Sequence, residues 1–221
     1  MVIIMLGAPA SGKGSVAEIL SKEFNIPAIS SGDIFRKYIS EGTEIGQKAN
    51  SYMTKGQLVP DDLTVELITA RLKEDDVKEG LILDGFPRTV NQAKVLDEML
   101  AKDGKKIDIV VNLETPEEEI LERITNRVIC TNSDCKAVYN TVLHPSKVEG
   151  ICDKCGSKLY QRDDDKLEKA KNRLEVYHRE TAPVADYYKE TGALYSTVLS
   201  KSVNRMKDEV ARDVIEYLKN K

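Results

Sequence analysis

The chain has no apolar run approaching the length of a membrane span, no excess of basic residues, and no cysteine outside residues 130–155. The first absence, together with an N-terminal apolar strand that lacks both a basic flank and a small-residue cleavage pattern, leads us to expect a cytoplasmic protein with no membrane partner. The second, a net charge of −4, argues against a nucleic-acid binder whose affinity comes from a broad basic surface. Histidine is scarce as well. His144 lies in a loop beside Pro145 and reads as solvated, although it is the one rival metal ligand near the cysteines, while His178 reads as a surface or packing residue. No internal repeat, low-complexity tract or flexible linker interrupts the 221 residues, which suffice for one large domain carrying insertions.

What is present begins at the N-terminus. Val2 to Leu6 reads as a buried parallel strand that breaks into Gly7-Ala8-Pro9-Ala10-Ser11-Gly12-Lys13-Gly14-Ser15, the Walker A pattern G-x-x-x-x-G-K, and a helical spacing of Val16, Ile19 and Leu20 follows. Glycines let the backbone curl until successive N–H groups point inward, the helix N-terminus adds positive potential, and Lys13 supplies a mobile cation. A polyphosphate fits all three. Gly14 stands where the general pattern has Ser or Thr, and the hydroxyl arrives one residue later at Ser15.

A second apolar strand, Leu81-Ile82-Leu83, ends in Asp84 and then Gly85-Phe86-Pro87-Arg88. An acid at the carboxyl end of a parallel strand stands where a hydrated Mg2+ is held beside phosphates. A capping or turn Asp is the alternative, and Gly85 and Pro87 come at turn spacing instead of opening a helix. Of ten arginines, six sit beside glycine-rich, acidic or cysteine-rich punctuation: Arg36, Arg88, Arg123, Arg127, Arg162 and Arg173. In an acidic chain, such placement reads as local phosphate binding by planar guanidinium groups.

The four cysteines form the other strong pattern. Cys130-x4-Cys135 and Cys152-x2-Cys155 are separated by sixteen residues. In an intracellular chain this reads as a structural Zn2+ site of four thiolates, in preference to disulfides. The C-x4-C arm is longer than the usual knuckle and lacks the glycine that follows Cys155, so one ligand of that arm stays open.

The remaining pattern is scaffold. Strands are expected at 107–113 and 193–198, and helices at 32–40, 44–55, 90–102, 117–125, 166–180 and 203–219. Alternating strands and helices make an α/β fold of the P-loop NTPase class, a three-layer parallel sheet with helices on both faces.

The combination of Gly7 to Ser15, Ile29-Ser30-Ser31-Gly32-Asp33, Asp84-Gly85-Phe86-Pro87-Arg88 and Arg162-Asp163-Asp164-Asp165 resembles the adenylate kinases of the long, zinc-lid type over essentially the whole chain. The resemblance implies a P-loop core (1–29, 60–126 and 164–221), a helical NMP-binding insertion (30–59) and a zinc-bearing lid (127–163). It implies Mg2+-dependent transfer of a phosphoryl group between ATP and AMP, giving two ADP, by a monomer. Lys13, Asp84, Arg88, Arg123, Arg162 and Arg173 would be the catalytic group. Ala10, Ser11, Gly12, Lys13, Gly14, Ser15, Arg123, Arg127, Val138, Tyr139 and Lys201 would hold ATP. Ser31, Arg36, Gln57, Leu58, Val59, Gly85, Arg88, Gln92, Arg162 and Arg173 would hold AMP, with Gln92 on the adenine edge. Asp164 and Asp165 would take part in lid closure, although the acidic run also reads as a solvated helix cap. Ala10 replaces the family's usual Gly, at little expected cost unless the loop needs positive φ there. Two other readings are kept. A UMP, CMP or GMP kinase would share the chemistry, and a zinc-ribbon nucleic-acid or regulatory module would leave D-G-F-P-R idle.

Overall fold

The protein is described by a computed structural model covering residues 1–220. The chain runs β1 (Val2–Gly7), α1 (Lys13–Phe24), β2 (Ala28–Ser30), α2 (Ser31–Ser40), α3 (Glu44–Met53), α4 (Asp61–Arg71), β3 (Leu81–Asp84), α5 (Val90–Lys102), β4 (Ile109–Glu114) and α6 (Glu117–Thr125). It continues through β5 (Arg127–Cys130), β6 (Val138–Asn140), β7 (Leu159–Tyr160), α7 (Leu167–Val176), α8 (Ala182–Glu190), β8 (Leu194–Val198) and α9 (Lys207–Lys219).

Five strands form a parallel sheet in the order β2-β3-β1-β4-β8. All six residues of β1 are buried, which is why the strand reads as an unbroken apolar run instead of an alternating one. Its side chains divide between two cores. Val2, Ile4 and Leu6 pack with Ile68 of α4, Leu96 and Leu100 of α5, and Val184 and Tyr188 of α8. Ile3 and Met5 face the other way, onto Val16 and Leu20 of α1 and Val210 and Val214 of α9. The result is helix, sheet, helix in three layers. Each fully buried aliphatic side chain contributes about 1.5–3 kcal/mol, and β1, from which the phosphate loop springs, is packed into both cores.

The order makes β1 the switch strand: the chain leaves it toward β3 and β2 and later returns on the opposite side as β4 and β8. A crevice opens beyond the carboxyl ends of strands at such a point. Two excursions overhang that edge. Helices α2 to α4 lie between β2 and β3, closed by a small core of Phe35, Ala49, Val59 and Leu67. Between α6 and α7 stands an antiparallel sheet, β6-β5-β7, in which few apolar residues are buried: Ile129, Cys130, Ala137 and Cys152.

The expected 166–180 helix differs in the structure. It starts at Leu167, passes into a π-helical segment, Tyr177–Thr181, and continues as α8. The wider turn ends on Thr181, whose hydroxyl donates to the carbonyl of Arg88 at 2.9 Å and ties this helix to the D-G-F-P-R loop.

Candidate active site

The phosphate loop rises from β1 with Gly7 at φ 136° and Gly12 at φ 102°. At Gly7 a Cβ would stand 2.5 Å from the carbonyl oxygen of Leu113 on the neighbouring strand, so only glycine fits. Ala10 also has positive φ, 57°. The condition under which its methyl is costly is therefore met: a non-glycine residue in this region costs roughly 1–2 kcal/mol. Ser11 Oγ is buried without a hydrogen-bond partner, while Gly14 and Ser15 open to solvent at the start of α1.

Lys13 folds back over the loop and donates to the carbonyls of Gly7 at 2.8 Å and Ala8 at 2.7 Å. Burial pushes its pKa down to about 8. Asp84 opposes that shift, and Arg88, Arg173 and Arg127 add to it. Asp84 ends β3, level with Met5 of β1, and its carboxylate lies 3.4 Å from where a Cβ on Gly14 would be. Five groups drawn from four parts of the sequence thus share one electrostatic environment.

Arg88 follows a cis Phe86-Pro87 bond. Its Nε donates to the Gly85 carbonyl at 2.7 Å, and the buried Ser31 hydroxyl donates to the same oxygen at 2.6 Å. Gly85 has φ 79°, and a Cβ there would sit 2.8 Å from both Ser31 Oγ and Arg88 Nη2. Burial and then Arg173 push Arg88 down to about 10. Arg162, lowered to about 10 by burial and then by Arg36 and Arg127, keeps an unpartnered buried Nε. It lies 3.8 Å from Asp33, which also pairs with Arg36, so the two overhanging excursions meet above the crevice. Burial opposes ionisation of Asp33, yet Arg36 and Arg162 hold its carboxyl below the ordinary range.

Asp165 organises the far side. It is fully buried and binds Arg127 in a two-pronged pair, Nε to Oδ2 at 2.8 Å and Nη2 to Oδ1, and it also takes Arg173 Nη1 at 3.2 Å. Arg173 reaches Asp164 Oδ2 at 3.0 Å as well. The alternative of a solvated acidic run holds for Asp163, which pairs with Lys166 and Lys169 at the surface, and fails for Asp165.

Arg123, on α6, approaches the Ser11 carbonyl at 3.5 Å and pairs with Glu119 at 2.8 Å. Glu119 also accepts from the Ser200 hydroxyl and from the backbone N–H groups of Lys201 and Ser202, at 3.2 Å and 3.3 Å. It thereby links the arginine to the loop after β8. Sequence reasoning passed over Glu119, although its i,i+4 spacing to Arg123 on one helix was a readable signal.

Of the other anticipated residues, Gln92 and Lys201 reach the cationic cluster only through the Arg88 backbone N–H and through Glu119. Gln57 is exposed, Leu58 half-buried and Val59 buried within the α2–α4 core. Lys201 points its ammonium at Glu122, 3.3 Å away. Val138 is exposed on β6, and the Tyr139 hydroxyl accepts from the Asp153 N–H at 2.9 Å and lies 3.6 Å from Cys152 Sγ, on the cysteine side of that sheet. Gln92 is 1% exposed, and both ends of its amide meet protein groups.

The four cysteine sulfurs lie within 4.8 Å of one another. Cys130 and Cys155 are 3.4 Å apart, and Cys135 and Cys152 are 3.7 Å apart. These separations are far beyond a disulfide bond. They match the edge of a tetrahedron, about 3.8 Å, that sulfurs at the usual zinc distance would form. The long C-x4-C arm reaches the cluster because Lys136 takes φ 49°, the conformation Gly156 takes after the second pair at φ 75°. The ligand left open by the spacing is thus brought in with the other three, and exposed His144 is not in the group.

No helix among the described residues is long and apolar enough to cross a membrane. The family described as Adenylate kinase matches residues 5–193. The chain is 53% identical over 194 residues to an adenylate kinase of Caldicellulosiruptor bescii, covering 88% of this chain and 89% of the relative. It is 47% identical over 218 residues to that of Staphylococcus aureus, with 99% of each covered, and 46% identical over 220 residues to that of Archaeoglobus fulgidus, with 100% of each covered.

Proposed function

The chain belongs to the adenylate kinase family and is a phosphotransferase, and from that premise we propose how its residues divide the transfer of the terminal phosphoryl group of ATP to AMP, giving two ADP. The observation that carries this reading is the density of cations with lowered pKa at the open end of the sheet. Lys13, Arg88, Arg162 and Arg173 are all held below their ordinary values by burial first of all. A site that keeps several desolvated cations together is short of negative charge, and two opposed nucleotide phosphate chains supply it.

In this account Ala10 to Ser15 wrap the donor phosphates with backbone N–H groups, and Lys13 swings from the Gly7 and Ala8 carbonyls onto the phosphate oxygens. Arg36 and Arg88 grip the AMP phosphate. Arg123, Arg162 and Arg173 neutralise the group in flight, while Arg127, its edge clamped by Asp165, flanks the donor base along with the Lys201 backbone. Ser31, Gln57, Leu58, Val59, Gly85 and Gln92 surround AMP. Phosphoryl transfer needs in-line positioning, charge neutralisation and exclusion of water, with little acid–base chemistry from protein. Asp84 suits an outer carboxylate for hydrated Mg2+, which when bound with ATP offsets charge on the phosphate oxygens. We take 30–59 as the AMP clamp and 127–163 as the lid, with Zn2+ on Cys130, Cys135, Cys152 and Cys155 serving structure. We further propose a cytoplasmic monomer without nucleic-acid partners.

The test is to incubate the protein with MgATP and AMP, UMP, CMP or GMP in turn and follow ADP. Turnover with AMP alone supports the reading, and preference for another monophosphate reassigns the acceptor. No turnover with any, joined to salt-dependent polynucleotide binding, would favour the zinc-ribbon module instead.

A further inference from the structure

Gln92 is held from two sides. Its Oε1 accepts from the backbone N–H of Arg88 at 2.7 Å, and its Nε2 donates to Asp61 Oδ1 at 2.7 Å. Neither contact tolerates the opposite orientation, because an N–H can only donate and a carboxylate can only accept. Asp61 is itself fixed. Its other oxygen accepts from the Thr89 hydroxyl and the Asn91 amide, each at 2.9 Å, and it opens α4 directly after Pro60. A glutamine amide has two N–H donors and two lone pairs. With one of each engaged, Gln92 keeps one donor and one acceptor in a fixed order, one hydrogen bond away from the loop that carries Gly85 and Arg88.

We propose that Asp61 is a positioning residue for acceptor-base selection: it locks the Gln92 amide in the orientation that matches adenine and opposes guanine. The inference rests on the reading of Gln92 as the residue on the adenine edge. Adenine presents an amino donor beside a ring-nitrogen acceptor, whereas guanine presents a carbonyl acceptor beside a ring N–H. A free glutamine could flip to suit either base. Held as it is here, a flip would set Nε2 against the Arg88 N–H and Oε1 against the Asp61 carboxylate, so guanine meets a wrongly ordered pair.

The experiment is steady-state kinetics with AMP and GMP as acceptors. Asp61→Ala should raise KM for AMP about tenfold, the scale of one hydrogen bond, leave KM for MgATP unmoved, and narrow the preference for AMP over GMP. Asp61→Asn, which still offers an oxygen to Gln92, should restore both. Because Asp61 acts through Gln92, Asp61→Ala combined with Gln92→Ala should be no worse than Gln92→Ala alone. A substitution-free readout is the side-chain amide of Gln92 in the wild-type protein, which should exchange its hydrogens more slowly than exposed glutamines. If Gln92→Ala leaves KM for AMP unchanged, the reading of Gln92 fails and this inference with it. If Gln92→Ala is impaired but Asp61→Ala is not, or the losses add, or the effect falls equally on MgATP, or the Gln92 amide exchanges freely, only the role of Asp61 is overturned.

Discussion

Raising the pH from 7 to 9 should weaken donor binding through one group, Lys13. In the free protein its pKa is pushed down to about 8, by burial first and by Arg88, Arg173 and Arg127 after it, against the pull of Asp84. The charged fraction then falls from roughly nine-tenths at pH 7 to roughly one-tenth at pH 9, because each unit above the pKa is a factor of ten. A bound polyphosphate needs the ammonium and restores its pKa toward the ordinary value, so protonation becomes part of binding and apparent affinity should drop about tenfold over the interval. Arg88 and Arg162, at about 10, keep their charge across this window, which isolates the lysine. The sign for folding is opposite. A lysine whose folded pKa lies below its unfolded value binds fewer protons in the native state, so its own contribution to stability rises from about pH 8 upward. Lys13 itself therefore contributes no loss of stability that could mimic the loss of affinity. The assay is calorimetric titration with a non-hydrolysable ATP analogue and Mg2+ at pH 7, 8 and 9, with Lys13→Arg as control, since arginine keeps its charge throughout. Affinity that stays flat in the wild type, or that falls equally in Lys13→Arg, would refute the reasoning.

Two further outcomes follow from backbone and metal. Ala10→Gly should relieve the φ 57° conformation; subtracting the extra freedom of glycine in the unfolded chain leaves about 0.5–1 kcal/mol of stabilisation, or about 1–4 °C in a chain of this size, and an unchanged or lower Tm in a thermal scan would contradict it. Chelation should melt the 127–163 segment ahead of the core, because its four buried apolar residues, Ile129, Cys130, Ala137 and Cys152, cannot replace a structural metal's contribution of about 10–16 kcal/mol. An unchanged melt, or no stoichiometric zinc by elemental analysis, would remove the zinc assignment.

The parts legible in the sequence are those written in local order. The apolar run of β1 before its glycines, the Asp84 to Arg88 turn, and the two cysteine pairs each announce themselves within nine residues or fewer. Helix α4 escaped notice because Leu63, Val65, Leu67 and Ile68 do not fall on one clean face. The strands β5 to β7 are only two to four residues long, too short for alternation to show. The π-helical segment 177–181 lies inside an otherwise helical pattern and has no signature of its own. Long-range pairing was the least readable feature. Asp165 lies 38 residues from Arg127 and Asp61 lies 31 from Gln92, so nothing in the local pattern distinguishes either acid from a solvated one.

A dinucleoside polyphosphate carrying adenosine at both ends tests most directly whether two opposed pockets share one cationic crevice. Titrated calorimetrically, it should bind one molecule per chain and displace both an ATP analogue and AMP. Binding of two molecules per chain, or displacement of only one nucleotide, would contradict the account.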